Sequence, residues 1–92
     1  MAEPVNRAQL TDDDIKRAIF KLQKEVAYEL NNKGPGAFVS RNEILGSVVR
    51  ELWELEQSLD MTSLDTFSDE LADIAVVCII GLAGIEAGKT GC

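Results

Sequence analysis

A run of twelve residues without a charged or strongly polar side chain, residues 74–85, constrains the fold of this chain more than any other feature. The run is too short to cross a bilayer, which requires about 20 residues. A helix that is apolar on every side is instead a buried helix. Gly81 and Gly84 within the run permit close contact between helices. Two other helices cannot cover such a helix on all sides, so we expect another copy of the chain to complete its burial.

Two helical patterns precede this run. The segment Thr11–Asp14 has the form of a capping box, and the apolar residues that follow at helical spacing predict a first helix over residues 12–32. A Gly-Pro-Gly sequence then breaks the pattern. The segment Ser40–Glu43 has the form of a second capping box and predicts a second helix, whose apolar residues occupy one arc as far as Leu59.

The third helix is predicted over residues 68–87, with Thr66 or Ser68 as its N-cap. These elements predict an all-α fold, an antiparallel helical bundle completed by homo-oligomerisation as a dimer or tetramer. The 92 residues are one domain by length. Residues 1–10 are expected to form a loose N-terminal arm and residues 88–92 a flexible tail.

Composition excludes several classes of function. The formal net charge of −7 argues against a nucleic-acid-binding surface, which requires clustered positive charge. The chain has no histidine, so histidine-based catalysis and histidine-ligated zinc are excluded. Two cysteines are too few for a disulfide scaffold or a four-ligand zinc site. No apolar leader is visible in the first residues, so we expect a cytoplasmic protein that does not bind membranes.

Two pairs of acidic residues interrupt the apolar patterns of the last two helices. Glu51 and Glu54 form one pair, and Glu70 and Asp73 form the other. Residues three apart are neighbours on one face of a helix, so two facing helices would place four carboxylates in one cleft. Carboxylates this close raise one another's pKa unless a cation lies between them. Mg²⁺, which prefers oxygen ligands, is the expected cation, and Mn²⁺ is a possible substitute.

These pairs are the basis of a family resemblance. The segments Val49–Leu55 and Asp69–Ile74 resemble the first and second metal motifs of the MazG-like, all-α nucleoside triphosphate pyrophosphohydrolases. The resemblance covers residues 40–85, about half of the chain. It implies hydrolysis of nucleoside or deoxynucleoside triphosphates to monophosphate and pyrophosphate, a housecleaning role in the nucleotide pool. The metal-binding and catalytic residues would be Glu51, Glu54, Glu70 and Asp73.

The sequence departs from this family in its basic residues. Many members carry an acidic residue where this chain has Arg50, and many have basic residues between the two motifs, where residues 55–69 have neither Lys nor Arg. Contacts to substrate phosphates are therefore expected from Lys33, Arg41 and Arg50, from the first helix, from the flexible tail or from another subunit. Phe38, in the loop before the second helix, is the expected contact with the nucleobase.

Two interpretations stay open at this point: the enzyme described above and a chain without enzymatic activity. Glu70 could compensate the dipole of the third helix, with the other acids as ordinary surface residues. In that case the chain would be a non-enzymatic acidic helical module for oligomerisation or antitoxin-like interaction, with its partner on the apolar third helix. This alternative does not explain why four acids fall into two pairs at a spacing of three.

Overall fold

The computed structural model describes residues 6–60 and 63–91, and these residues form three helices and no strand. The helices are α1 (Asp12–Lys33), α2 (Arg41–Ser58) and α3 (Leu64–Glu86). The prediction of an all-α fold is confirmed. The predicted loose arm lies partly outside the described residues, and residues 6–10 have no regular structure.

Side-chain caps begin α1 and α2. The Thr11 hydroxyl accepts from the Asp14 N–H, and the Asp14 carboxylate accepts from the Thr11 N–H at 2.9 Å, which confirms the first capping box. At α2 the Ser40 hydroxyl accepts from the Glu43 N–H. The Glu43 carboxylate, however, accepts from the Val39 N–H at 2.9 Å, so the second predicted box is only half formed.

The third helix begins at Leu64, and its predicted start at residue 68 is wrong. The N-cap is Ser63, whose hydroxyl accepts from the Thr66 N–H, and not Thr66 or Ser68. Glu70 is consequently the seventh residue of the helix. The influence of a helix dipole falls off within the first turn, so dipole compensation does not account for Glu70.

The third helix lies between the other two. In the described part of the chain, α3 packs against both α2 and α1, while α1 and α2 do not pack against each other. The approach of α2 to α3 depends on Gly81, where an added Cβ atom would lie 3.1 Å from the Ile44 Cγ2 atom. A glycine at this crossing therefore lets the two helices come close together.

The described residues bury very little apolar volume. The buried apolar residues among them are Ala72 and Val76, both small residues of α3. Ser58 is buried at the end of α2, where its hydroxyl donates to the Leu55 carbonyl at 2.8 Å. Many large apolar side chains on all three helices are exposed. None of the described helices is both long enough and apolar enough to cross a membrane.

Residues 88–91 fold back onto the loop before α2. Gly88 has a φ of 68°, a backbone conformation that favours glycine, and it reverses the chain after α3. The Lys89 N–H then donates to the Gly84 carbonyl at 2.8 Å, and the Gly91 N–H donates to the Val39 carbonyl at 2.9 Å. These bonds hold most of the expected flexible tail, whose last residue, Cys92, lies outside the described residues.

Candidate functional site

Carboxylates of α2 and α3 converge beside the contact between these two helices. Glu51 of α2 and Glu70 and Asp73 of α3 each offer an oxygen atom, and these atoms lie within 4.8 Å of one another. The Glu51 side chain is only 14% exposed, because it lies at the edge of the contact between the two helices. Glu54 lies one helical turn beyond Glu51, and its carboxyl group raises the pKa of the Glu51 carboxyl. The structure thus brings Glu51, Glu70 and Asp73 together, with Glu54 beside them.

The crowding of these acids is visible in their pKa values. Burial raises the pKa of Glu51 most, followed by the hydrogen bond with Glu54 and the negative charges of Glu54 and Asp73. The Arg50 guanidinium, with Nη2 3.7 Å from the Glu51 carboxylate, opposes this increase. Burial also raises the pKa of Asp73, and neighbouring carboxylates raise it further. Both acids therefore lie where a negative charge is disfavoured in the absence of a cation.

Two acidic residues of α1, Glu25 and Glu29, add negative charge near the cluster, and Glu29 also lines the adjacent cleft; neither was predicted from the sequence. Their negative charges raise the pKa of Asp73, after burial and the charge of Glu70. A signal for them exists in the sequence, because Glu25 and Glu29 are four residues apart and directly precede the half-buried Val26 and Leu30. They border the packed side of α1 as Glu51 borders that of α2. The site therefore involves all three helices.

A carboxylate oxygen in this cluster has no partner among the described residues. The Oε2 atom of Glu70 is buried and accepts no hydrogen bond. A buried oxygen without a partner destabilises the fold by about 1–3 kcal/mol, and more when it carries charge. A cation bound between Glu51, Glu70 and Asp73 would satisfy this atom and neutralise the crowded charges. The residues present thus fit a hard divalent cation that takes oxygen ligands.

The acidic cluster opens into a cleft of about 320 Å³. Glu29, Glu51, Glu54 and Asp73 contribute negative charge to its lining. Such a volume lies at the lower end of the range for small-molecule sites, which begins at about 300 Å³. The dominant negative charge means that a phosphate group enters this cleft favourably only together with a cation.

Three of the four predicted substrate contacts line this cleft. These are Lys33 at the end of α1, Phe38 in the following loop, and Arg50 of α2. The Lys33 Nζ atom lies 3.2 Å from the Glu29 carboxylate and forms an ion pair with it. A positively charged side chain therefore lies directly beside the acidic cluster. Arg41 is exposed at the first position of α2 and is not among the residues that line the cleft.

In the absence of divalent cations, we expect the free energy of unfolding to decrease as the pH rises above about 4.5, which is near the ordinary pKa of carboxyl groups. The raised pKa values of Glu51 and Asp73 mean that the folded state binds protons more tightly than the unfolded state. Their stabilising contribution is therefore present at low pH and is lost as the pH rises through the raised values. Histidine side chains titrate in the same pH range, but this chain has none, so no histidine titration overlaps this decrease in stability.

Melting temperatures measured in EDTA from about pH 4.5 to 7.5 test this expectation. Asp73→Asn should flatten the decrease, whereas the matched Glu56→Gln, outside the cluster, should leave it unchanged. Equal profiles for the wild type and Asp73→Asn would contradict it.

Comparison of the chain with protein-family models, with curated proteins and with solved structures finds no match.

Proposed function

We propose that this chain is a Mg²⁺-dependent nucleoside triphosphate pyrophosphohydrolase that acts in the cytoplasm on the nucleotide pool. The observation that carries the proposal is the convergence of Glu51, Glu70 and Asp73, together with the buried Glu70 Oε2 atom that has no partner among the described residues. A set of surface acids would be spread over solvated positions, whereas these acids crowd together at a helix contact. The resemblance of residues 40–85 to the MazG-like family supports the same reaction.

Glu51, Glu54, Glu70 and Asp73 would hold the Mg²⁺, for which Mn²⁺ could substitute. The bound cation would contribute charge neutralisation at the phosphate oxygens. In the proposed reaction, water attacks the α-phosphorus, and the bond from that phosphorus to the oxygen bridging to the β-phosphorus breaks. The products are a nucleoside monophosphate and pyrophosphate. One carboxylate of the cluster accepts the proton of the attacking water.

Substrate binding would use the basic and aromatic residues of the cleft. Lys33 and Arg50 would contact phosphate oxygens beside the acidic cluster. Phe38, half-buried in the same lining, would stack on the nucleobase. Stacking does not depend on base identity, because every base has an aromatic face. Arg41 would contribute only through long-range charge or another copy of the chain.

We also propose that the functional unit is a homo-oligomer, a dimer or tetramer that completes the helical bundle. Its support is the small buried core, which contains no large side chain in the described residues. The three helices thus provide only part of a stable interior.

Product analysis tests the proposed reaction. The purified chain is incubated with Mg²⁺ and each common or damaged nucleoside and deoxynucleoside triphosphate, and products are separated by ion-exchange chromatography. The expected products are monophosphate and pyrophosphate in equal amounts. Release of inorganic phosphate with diphosphate, or the absence of turnover for every substrate, would contradict the proposal.

A non-enzymatic interaction module is the second candidate, and the many exposed apolar side chains favour it. In that case the acids would serve solubility, and the chain would be an oligomerisation or antitoxin-like module whose partner binds the apolar third helix. Isothermal titration with Mg²⁺ separates the candidates, because the hydrolase requires a saturable site. If titration of Mg²⁺ into the wild-type chain gives no heat of binding, the result favours the non-enzymatic module.

A further inference from the structure

The loop that carries Phe38 has few bonds of its own. In the described part of the chain, the backbone of residues 35–38 makes no hydrogen bond, and the next residue, Val39, makes two. The Val39 N–H donates to the Glu43 carboxylate at 2.9 Å, which ties the loop to α2. The Val39 carbonyl accepts from the Gly91 N–H at 2.9 Å. The position of Phe38 therefore depends on the contacts that its neighbours make with other parts of the fold.

A short segment after α3, residues 88–91, holds this loop from the side of α3, and we call it the clasp. The Lys89 and Thr90 N–H groups both donate to the Gly84 carbonyl, at 2.8 and 3.1 Å. These two bonds fix the clasp to the last turn of α3. From there the Gly91 N–H reaches the loop. The clasp thus joins α3 directly to the segment that carries Phe38.

Gly84 is the point at which α3, the clasp and the loop meet. It is one of the buried residues of α3. A Cβ atom added at Gly84 would overlap the Thr90 hydroxyl and would lie 3.4 Å from the Ala37 Cβ atom. The Thr90 Oγ1 atom is buried and has no hydrogen-bond partner among the described residues, so it occupies space beside Gly84 without forming a bond. Only glycine at this position leaves room for the clasp.

The loop borders two cavities. Phe38 lines the cleft beside the acidic cluster, whereas Ala37 lines a separate groove of about 240 Å³ together with Gly84. On one side of Phe38, Ala37 lies against Gly84. On the other side, Val39 is bonded to Gly91. Phe38 is thus held in the cleft through both of its neighbours in the chain.

We propose that the clasp and Gly84 position the nucleobase contact: they hold the loop so that Phe38 already stands in the cleft before a nucleotide binds. This role rests on the proposed function, because it takes the cleft as the nucleotide site. A loop that is ordered in advance does not have to be ordered on binding, which lowers the apparent dissociation constant.

The clasp lies far along α3 from the acidic cluster. Gly84 follows Asp73 by eleven residues, which is about 16 Å along a helix. Loss of the clasp should therefore weaken the part of binding that depends on the base. Binding of the phosphate chain to the cation and to Lys33 and Arg50 should not change.

Isothermal titration in Mg²⁺ with two probes tests this role. One probe is an α,β-methylene nucleoside triphosphate, with the base that binds the wild type most tightly, and the other is inorganic tripolyphosphate, which has no base. Gly91→Pro removes the N–H that donates to Val39. It should raise the dissociation constant of the nucleotide probe by about two- to tenfold, which corresponds to the net contribution of one hydrogen bond. Binding of tripolyphosphate should stay at the wild-type value.

Gly91→Ala is the matched control for this variant. It keeps the N–H, and its Cβ atom would lie 3.7 Å from the Val39 carbonyl oxygen, which is an ordinary contact. It should bind both probes as the wild type does. In a Phe38→Ala chain, Gly91→Pro should have no further effect, because the contact that the clasp positions is already absent. An additional loss in that background would show that the clasp acts elsewhere and would contradict the proposal.

Gly84→Ala provides an independent test with a rescue. The added methyl group displaces Thr90, so this variant should lose as much nucleotide affinity as Gly91→Pro. A second substitution, Thr90→Ala, removes the overlapping hydroxyl and should restore the affinity, since the Thr90 Cβ atom would lie 3.5 Å from the added atom. Thr90→Ala alone should bind like the wild type, because its buried hydroxyl has no partner to lose. Alanine is the better helix former, so Gly84→Ala does not weaken α3 itself.

Backbone ¹⁵N relaxation without nucleotide measures the loop directly. The order parameters of residues 36–38 should be near 0.85 in the wild type, about the value of a rigid backbone, and should fall below about 0.6 in Gly91→Pro. This measurement does not require any variant to bind a nucleotide. A loop that is equally ordered in the wild type and in Gly91→Pro would overturn the proposal.

The outcomes separate the clasp from the proposed function. A wild type that binds neither probe overturns the function and this role together. A wild type that binds both probes, with equal nucleotide affinity in Gly91→Pro and Gly91→Ala, overturns the role of the clasp alone. Equal weakening of both probes by Gly91→Pro would indicate a general loss of structure and would also contradict it. The same holds if no base improves binding over tripolyphosphate.

Discussion

Removal of the charge from any one of the four paired acids should abolish most triphosphate hydrolysis. Glu51→Gln, Glu54→Gln, Glu70→Gln and Asp73→Asn each change the volume little, so their effect reports the loss of charge. A bound cation contributes several kcal/mol of transition-state stabilisation. At about 1.4 kcal/mol per tenfold change in rate, we expect losses of at least a hundredfold. Pyrophosphate release at saturating Mg²⁺ measures them.

Two acids outside the cluster provide matched controls. Glu56→Gln should retain near-normal turnover, because Glu56 lies on the opposite border of α2 from Glu51. Glu43→Gln should weaken only the start of α2, by about 1 kcal/mol, through the bond from the Val39 N–H.

Combination of the variants distinguishes a shared site from independent effects. Glu51→Gln with Glu70→Gln should be little worse than either alone, because residues that act as a unit give non-additive losses. Equal behaviour of all six single variants, or multiplicative losses in the double variant, would contradict the proposed site.

Mg²⁺ should raise the melting temperature substantially. A ligand present at about 100 times its dissociation constant stabilises the folded state by about 2.7 kcal/mol. For a domain of 60–100 residues, each kcal/mol corresponds to about 4–8 °C, so we expect an increase of about 10 °C or more. The physical reason is relief of repulsion among Glu51, Glu70 and Asp73, together with a partner for the buried Glu70 oxygen.

Glu70→Gln separates specific binding from general ionic effects. Without divalent cations this variant should melt at or above the wild-type temperature, because it carries one crowded charge fewer. Addition of Mg²⁺ should then stabilise it much less than the wild type. Circular dichroism melting curves with matched concentrations of NaCl and MgCl₂ measure both effects. A wild-type curve indifferent to millimolar Mg²⁺ would count against the site.

Local signals in the sequence predict the helices well where capping side chains mark their ends. Thr11 and Ser40 precede α1 and α2 as predicted, since a short hydroxyl side chain can accept from the third N–H of the following helix. The start of α3 was misplaced because Ser63, Thr66 and Ser68 all have capping side chains. Only the observed backbone distinguishes among them.

The candidate site was predictable in part. The spacing of the acids within α2 and α3, and their position at the edge of the apolar arcs, anticipate the meeting of Glu51 with Glu70 and Asp73. The participation of Glu25 and Glu29 depends on how α1 lies against α3, and periodicity in one helix does not specify its rotation against another. The position of Lys33 and Phe38 in the cleft depends on the loop that follows α1.

The bond between Gly91 and Val39 has a consequence for the order in which this chain becomes structured during synthesis. Gly91 is made 52 residues after Val39, to which its N–H donates. A ribosome adds about 5–20 residues per second, so the loop before α2 waits several seconds for this partner. The helices and the bond from the Val39 N–H to Glu43 can form as they emerge, whereas the Val39 carbonyl gains its partner only when residue 91 is in place. The cleft therefore acquires its final shape only after residue 91 has been made.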